Sequence, residues 1–312
     1  MAHKLNLGMY CFRIKPLRSS DTDVLSIDEF LQEAYHDVGN KFICFCDDIL
    51  NTLKRVYKTK DKDLGAVKVQ EEIDSKHRIL DLMLDGGITG IKQSLISPEL
   101  EERTTIPAED TVALPFFVRF WMQESNAGYI FIQSYTSLSI KKVISEVLQK
   151  VLQNKGVSFV DYTIKKTTTR LRMQRFLDTS IPIAITILNK TSEYDPRDTH
   201  VSTARILLKG DLPSIDTIDR QTIRRYTKDK HGIELKEADI YHYKITYQSE
   251  NERGEKEQRT VPLEYDLSDS KLIPNIVVPS ECIDKDNYPI WDKMKELCDH
   301  EITQILKELD NA

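Results

Sequence analysis

Residues 112–154 constrain the fold more than any other stretch of this chain. Val112 to Met122 is strand-like and rich in aromatics, Asn126-Ala127-Gly128 offers a turn, and Tyr129 to Tyr135 returns. Aromatic and β-branched runs on either side of a glycine-containing turn predict two strands of an antiparallel hairpin. Directly afterwards Leu138, Ile140, Val143, Ile144, Val147, Leu148, Val151 and Leu152 recur largely at three- and four-residue steps. That spacing predicts an amphipathic helix, stopped by Asn154-Lys155-Gly156. The succession of strand, turn, strand and helix commits the chain to a fold containing both kinds of element.

The flanking sequence extends this pattern. Leu5, Leu7, Met9 and Cys11 alternate with polar or small residues as in a half-buried strand, and Ser26 with Glu29 forms a capping-box signature ahead of Phe30, Leu31, Ala34, Tyr35 and Val38. Gly39-Asn40 would end that helix. Phe42 to Cys46 reads as a short buried strand, with Cys44 and Cys46 on one face. Arg78 to Ile96 resembles two strands broken at Gly86-Gly87, and the acidic, proline-containing stretch Pro98 to Asp110 a surface loop. Phe159 to Ile164 reads as a strand, and Thr167 to Leu177 fits either strand or helix. Ile181 to Leu188 and Val201 to Leu208 look like inner strands, Ile218 to Lys230 like a helix, and Ile240 to Gln248 with Arg259 to Leu267 like a long hairpin. Pro289 opens a last helix, whose apolar side (Met294, Leu297, Ile302, Ile305, Leu306, Leu309) suits a core contact or a dimer seam. Strands and helices interleave without a regular βα repeat. The expected class is therefore α+β, with mixed, largely antiparallel sheets and two subdomains, 1–135 and 136–312.

Several function classes find no support. No stretch approaches the roughly 18 apolar residues of a membrane span, and the N-terminus lacks a signal-peptide core. Five cysteines without a CxxC pair fit reduced thiols and a cytoplasmic location. There is no GxxxxGK[ST], GxSxG or HExxH motif, and only 11 glycines. Glu237 and Asp239 near Lys244 contain the ingredients of a metal-dependent nuclease, but a chain with 50 acids and 44 bases produces such proximity by chance. His200 and His242 lack partners at ligand spacing. The reading is of no cofactor, no metal and no catalytic residue. Phe116, Phe117, Phe120 and Trp121 suit core packing better than stacking on bases.

What remains is charge asymmetry. Between Lys141 and Arg175 lie nine cations (Lys141, Lys142, Lys150, Lys155, Lys165, Lys166, Arg170, Arg172, Arg175) against Glu146 and Asp161, in a chain of formal charge −6. Local field decides whether a polyanion is steered to a surface, and each neutralised phosphate releases counterions. Lys141, Lys142 and Lys150 can lie along one side of the predicted helix, and Lys166, Arg170 and Arg172 would share a face if the next segment is a strand. A second basic group (Arg220, Arg224, Arg225, Lys228, Lys230, Lys236) falls on and beyond the helix expected at 218–230. Either group could equally be a solvated face, where lysine guards an edge strand against aggregation.

The order of elements resembles the RexA exclusion proteins of phage lambda type. The likeness is carried by the first strand, the capped helix from Ser26 to Leu31, Leu114 to Val118, Gly128 to Phe131, the turn at Ser134 to Ser137 with its helix, the hairpin Tyr243 to Leu267 and the closing helix. It implies a cytoplasmic, homodimeric protein of anti-phage defence by abortive infection, one that binds double-stranded DNA without strong sequence preference and acts through a membrane effector partner. No contact residues carry over from it. The alternatives are a metal-dependent defence nuclease or a protein-binding phage sensor that never touches nucleic acid.

Overall fold

The computed structural model describes residues 5–37, 39–53, 57–60, 64–88, 93–96, 102–106, 110, 112–122, 126–136, 138–160, 164–190, 201–207, 225, 228–229, 241–250, 256–262 and 273–310. The chain divides into two units, Met1–Thr167 with Asn275–Ala312, and Thr168–Pro274. The α+β class holds, and every described strand pairing is antiparallel. The expected division at 135/136 does not: the helix that follows the central hairpin packs back onto the sheet that contains the hairpin.

Unit 1 is built on one large sheet. β1 (Leu5–Phe12) lies beside β9 (Gly128–Tyr135), followed by β8 (Val112–Trp121), β5 (Ile79–Ile88), β4 (Leu64–Asp74) and the short β3 (Tyr57–Lys58). The other edge of β1 carries β11 (Lys165–Thr167) and β16 (Ile276–Val277). Two small ribbons pair β2 (Ile14–Pro16) with β10 (Val157–Phe159) and β6 (Gln93–Ile96) with β7 (Glu102–Ile106). Glu102–Ile106 therefore belongs to a strand within the stretch read as a loop.

Both faces of the central strands are covered, so Phe116 to Met122 is buried without interruption. Leu80, Leu82 and Leu84 pair with Phe120, Val118 and Phe116, while Asp81 and Met83 pair with Arg119 and Phe117 on the opposite face. Toward the first set lie α1 (Ile27–Ala34), α2 (Lys41–Thr52) and α3 (Lys141–Asn154); toward the second lies α5 (Trp291–Asp310). The α1 capping box forms as its sequence requires, with Ser26 Oγ accepting from Glu29 N–H and Glu29 accepting from Ser26 N–H at 2.8 Å. α3 ends at Gly156, whose φ of +75° suits a residue without a side chain. α5 buries Met294, Cys298, Ile302 and Ile305, so its apolar side is committed to the core.

Two strand readings fail for identifiable reasons. Residues 42–46 are helical, because Asn40 Oδ1 accepts from Ile43 N–H at 3.1 Å and starts α2 instead of ending α1. Gly86 and Gly87 do not break the chain but lie inside β5. A Cβ on Gly86 would come within 2.6 Å of the Ile140 side chain, so the glycine is where α3 approaches the sheet. Gly86→Ala should thus cost about 1–3 kcal/mol by overpacking. Urea unfolding of the variant checks this, and a change near zero would show that Ile140 yields freely.

Unit 2 is a four-stranded sheet in the order β13-β12-β14-β15, comprising β12 (Ile181–Lys190), β13 (Val201–Leu207), β14 (Tyr241–Glu250) and β15 (Lys256–Pro262). α4 (Arg170–Thr179) packs against β14. The ladder slips between Pro182 and Ala184, where proline supplies no N–H donor. Among the described residues β13 lies at the edge of this sheet and not inside it. Among the described residues no helix is long and apolar enough to cross a membrane.

Candidate nucleic-acid interface

Strand register brings together lysines that lie far apart in sequence. Lys165 is opposite Cys11 and Lys166 opposite Tyr10 across the β1–β11 pair. Cross-strand partners project to the same face, so Lys166 lies on the Tyr10 side of the sheet. From the helix layer, Lys141 Nζ is 4.9 Å from the centroid of the same Tyr10 ring, within cation–π range. Burial lowers the Lys141 pKa. On the other face, Arg13 and Lys165 both act to lower the Cys11 thiol pKa, although burial outweighs them and raises it. One corner of unit 1 thus holds Lys141 and Lys166 on the Tyr10 face of the sheet and Arg13 and Lys165 on the Cys11 face.

The start of α3 adds to this field. Its first turn contains no acidic residue, and its N-cap, Ile140, has no side-chain acceptor; the Lys141 N–H bonds to Ser139 Oγ at 3.2 Å. The first N–H groups and the positive end of the helix dipole point the same way as the Lys141 and Lys142 charges. Lysines at this end cost a helix a few tenths of a kcal/mol or more. Their placement is therefore not explained by helix stability.

Other candidates are elsewhere. Lys150 is exposed, but nine residues at about 100° each turn it to the far side of α3 from Lys141. Glu146 lies between them and accepts from the Lys60 N–H at 3.1 Å. Lys155 pairs with Asp48 at 3.2 Å and covers the Tyr35 ring, a structural role. Arg170, Arg172 and Arg175 belong to α4 of unit 2, so the strand face shared with Lys166 does not exist. The reason is Thr169, whose Oγ1 accepts from the Arg172 N–H at 3.3 Å and whose carbonyl accepts from Met173 N–H, starting a helix. Arg170 and Arg175 are exposed while Arg172 is buried. Arg225 and Lys228 are exposed and helical; Arg220, Arg224, Lys230 and Lys236 lie outside the described residues.

Sequence reasoning did not single out Tyr10 or Arg13, because only the β1–β11 register reveals their company. It also missed a charge buried in the core of unit 1. Arg119, 1 % exposed, donates to Asp81 through Nε at 2.6 Å and Nη2 at 2.8 Å, and through Nη1 to Asp299 of α5. A cleft of about 590 Å³ opens nearby, lined by Asp74, His77, Arg78, Trp121, Asp299 and Leu306. His77 Nδ1 lies 2.6 Å from Asp74 Oδ2, and this bond holds the Asp74 carboxyl below its ordinary pKa. The nearby Thr303 hydroxyl donates to the Asp299 carbonyl. Among the described residues no group of three or more His, Cys, Asp or Glu could hold a metal ion. Glu237, Asp239 and His200 lie outside them. Phe116, Phe117, Phe120 and Trp121 are buried, which removes them as a stacking platform for bases.

No protein-family model matches the chain, and no curated protein matches it. Among solved structures, the di-domain ARO/CYC BexL from the BE-7585A biosynthetic pathway is similar over 81% of this chain and 69% of that chain, at 7% identity and a TM-score of 0.18. A likeness that slight carries no argument about fold or activity.

Proposed function

We propose that this chain is a non-enzymatic protein that binds the phosphate backbone of double-stranded DNA without reading its sequence. The observation behind the proposal is that Lys141, from the start of a helix, and Lys166, from the strand paired with β1, share the Tyr10 face of the sheet, while Lys165 and Arg13 lie near Cys11 on the opposite face of the same edge. Cations brought together from separate elements suit a polyanion better than a single solvated helix face does. Phosphate contacts position a protein on a duplex and need no recognition helix. The resemblance to RexA-type exclusion proteins supports the same class and adds an anti-phage role as a homodimer with a membrane effector partner. Such a dimer would use a surface other than the apolar side of α5.

The net negative charge predicts that binding is confined to low salt. A fluorescent duplex titrated between about 50 and 200 mM salt should show affinity falling steeply, and Lys141→Glu/Lys165→Glu/Lys166→Glu should weaken it about tenfold or more while flattening the log–log salt slope by about 2–3. No duplex binding at low salt would sink the proposal. Metal-dependent cleavage of the duplex would point to the nuclease. Binding that survives all three reversals would place the contacts elsewhere.

A further inference from the structure

β11 and β16 look like unrelated short strands, but their registers show that they are two halves of one. β9 occupies one edge of β1 from Leu5 to Phe12, so both short strands lie along the other edge. Both are antiparallel to β1 and therefore run in the same direction. β11 ends with Thr167 opposite Met9, and β16 begins with Ile276 opposite Leu7. The register leaves a single position between them, opposite Gly8. Thr167 and Ile276, separated by the whole of unit 2 in sequence, are thus two register steps apart, about 7 Å. We infer that unit 2 is a module inserted into an edge strand of unit 1 at this one point, that it folds separately, and that the basic corner around Tyr10 belongs to the host alone.

Three observations support this. The ends of the inserted segment leave the host at neighbouring positions, the geometry under which insertion leaves a host domain intact. Unit 2 has buried residues of its own, among them Phe176, Ala184, Ile245 and Tyr247. Unit 1 has its own continuous core, running from Leu5 through Phe131 and Val147 to Ile305. Arg13, Lys141, Lys165 and Lys166 all lie on the host side of the junction. The folding half of the inference stands without the DNA-binding reading; the location of the corner's activity rests on that reading.

The test uses the full chain carrying Ile245→Asp, which puts a carboxylate at a fully buried position of β14. Hydrogen exchange should show the β12 and β14 amides losing about tenfold or more of their protection, with β1, β8 and β9 amides held within about twofold of wild type. Loss of protection throughout would overturn the inference. Should Ile245→Asp leave unit 2 folded, wild-type exchange in rising urea decides: separate opening curves for the two sets of amides support the inference, and one merged curve overturns it. In the unfolded-unit variant, duplex affinity within about twofold of wild type keeps the corner in unit 1, while a tenfold loss removes it. If the wild type binds no duplex, the DNA reading fails and the exchange data still settle the insertion.

Discussion

Replacing Arg119 by methionine is expected to destabilise the protein by about 3–5 kcal/mol, the usual cost of removing one partner of a buried ion pair. Methionine fills a comparable volume, so the penalty comes from the Asp81 carboxylate, 2 % exposed and deprived of both guanidinium bonds. The Lys295 carbonyl, which accepts from Nη1 at 3.3 Å, and Asp299 lose a donor as well. Burial already raises the Asp81 pKa, with Arg119 opposing it, and without the arginine the value climbs further. A carboxyl whose native pKa exceeds its unfolded value makes the folded state bind a proton first. The deficit is therefore largest above the native pKa and shrinks as the pH falls toward about 4. Urea unfolding of variant and wild type at pH 7 and near pH 4.5 measures both effects. An equal deficit at the two pH values would show that Asp81 is not its source. Combining Arg119→Met with Asp81→Leu should recover most of the loss, since an apolar pair replaces an ionic one without leaving a charge behind.

Phe45→Ala should cost a comparable amount, about 3–5 kcal/mol, on the other face of the sheet. Phe45 is fully buried and meets Phe30 at 5.9 Å and Tyr35 at 6.5 Å edge-on, with Phe42 at 6.5 Å. Edge-to-face rings contribute about 0.5–1.5 kcal/mol beyond their buried area. Tyr35 is further fixed by its hydroxyl, which donates to Asp48 Oδ2 at 2.8 Å. Truncation at this hub loosens α1 from α2, whereas Phe45→Leu should retain more than half of the stability. A loss below about 1.5 kcal/mol for the alanine variant would mean that the cavity collapses easily.

Phe45 also illustrates how much of the fold was legible. Elements whose signal is local were readable: the Ser26–Glu29 box, the long apolar stripe of α3 and the 112–135 hairpin all form where the residues demand. Phe42 to Cys46 misled because five apolar residues have no resolvable period, and the deciding atom, Asn40 Oδ1, looked like the end of the previous helix. Gly86 misled because its reason lies 54 positions away, in the side chain of Ile140. The candidate site was half legible. Composition exposed the lysines, but only the β1–β11 register and the packing of α3 show that Lys166 and Lys141 share the Tyr10 face. The helix started by Thr169 removes Arg170 and Arg172 from that company. No local pattern marks Arg119, a cation in an aromatic strand whose partners come from Asp81 and from α5.

The interrupted edge strand has a consequence for the order in which the protein is made. The inserted segment, roughly a hundred residues long, leaves the ribosome before β16 and α5 exist. At about 5–20 residues per second, the first 167 residues wait several seconds or more for the helix that covers one face of their sheet. Throughout that delay Phe117 lacks Trp291 and Arg119 lacks Asp299. The nascent host has one uncovered sheet face and so is a natural client for a chaperone, whereas the inserted module has its four described strands in hand as soon as it emerges.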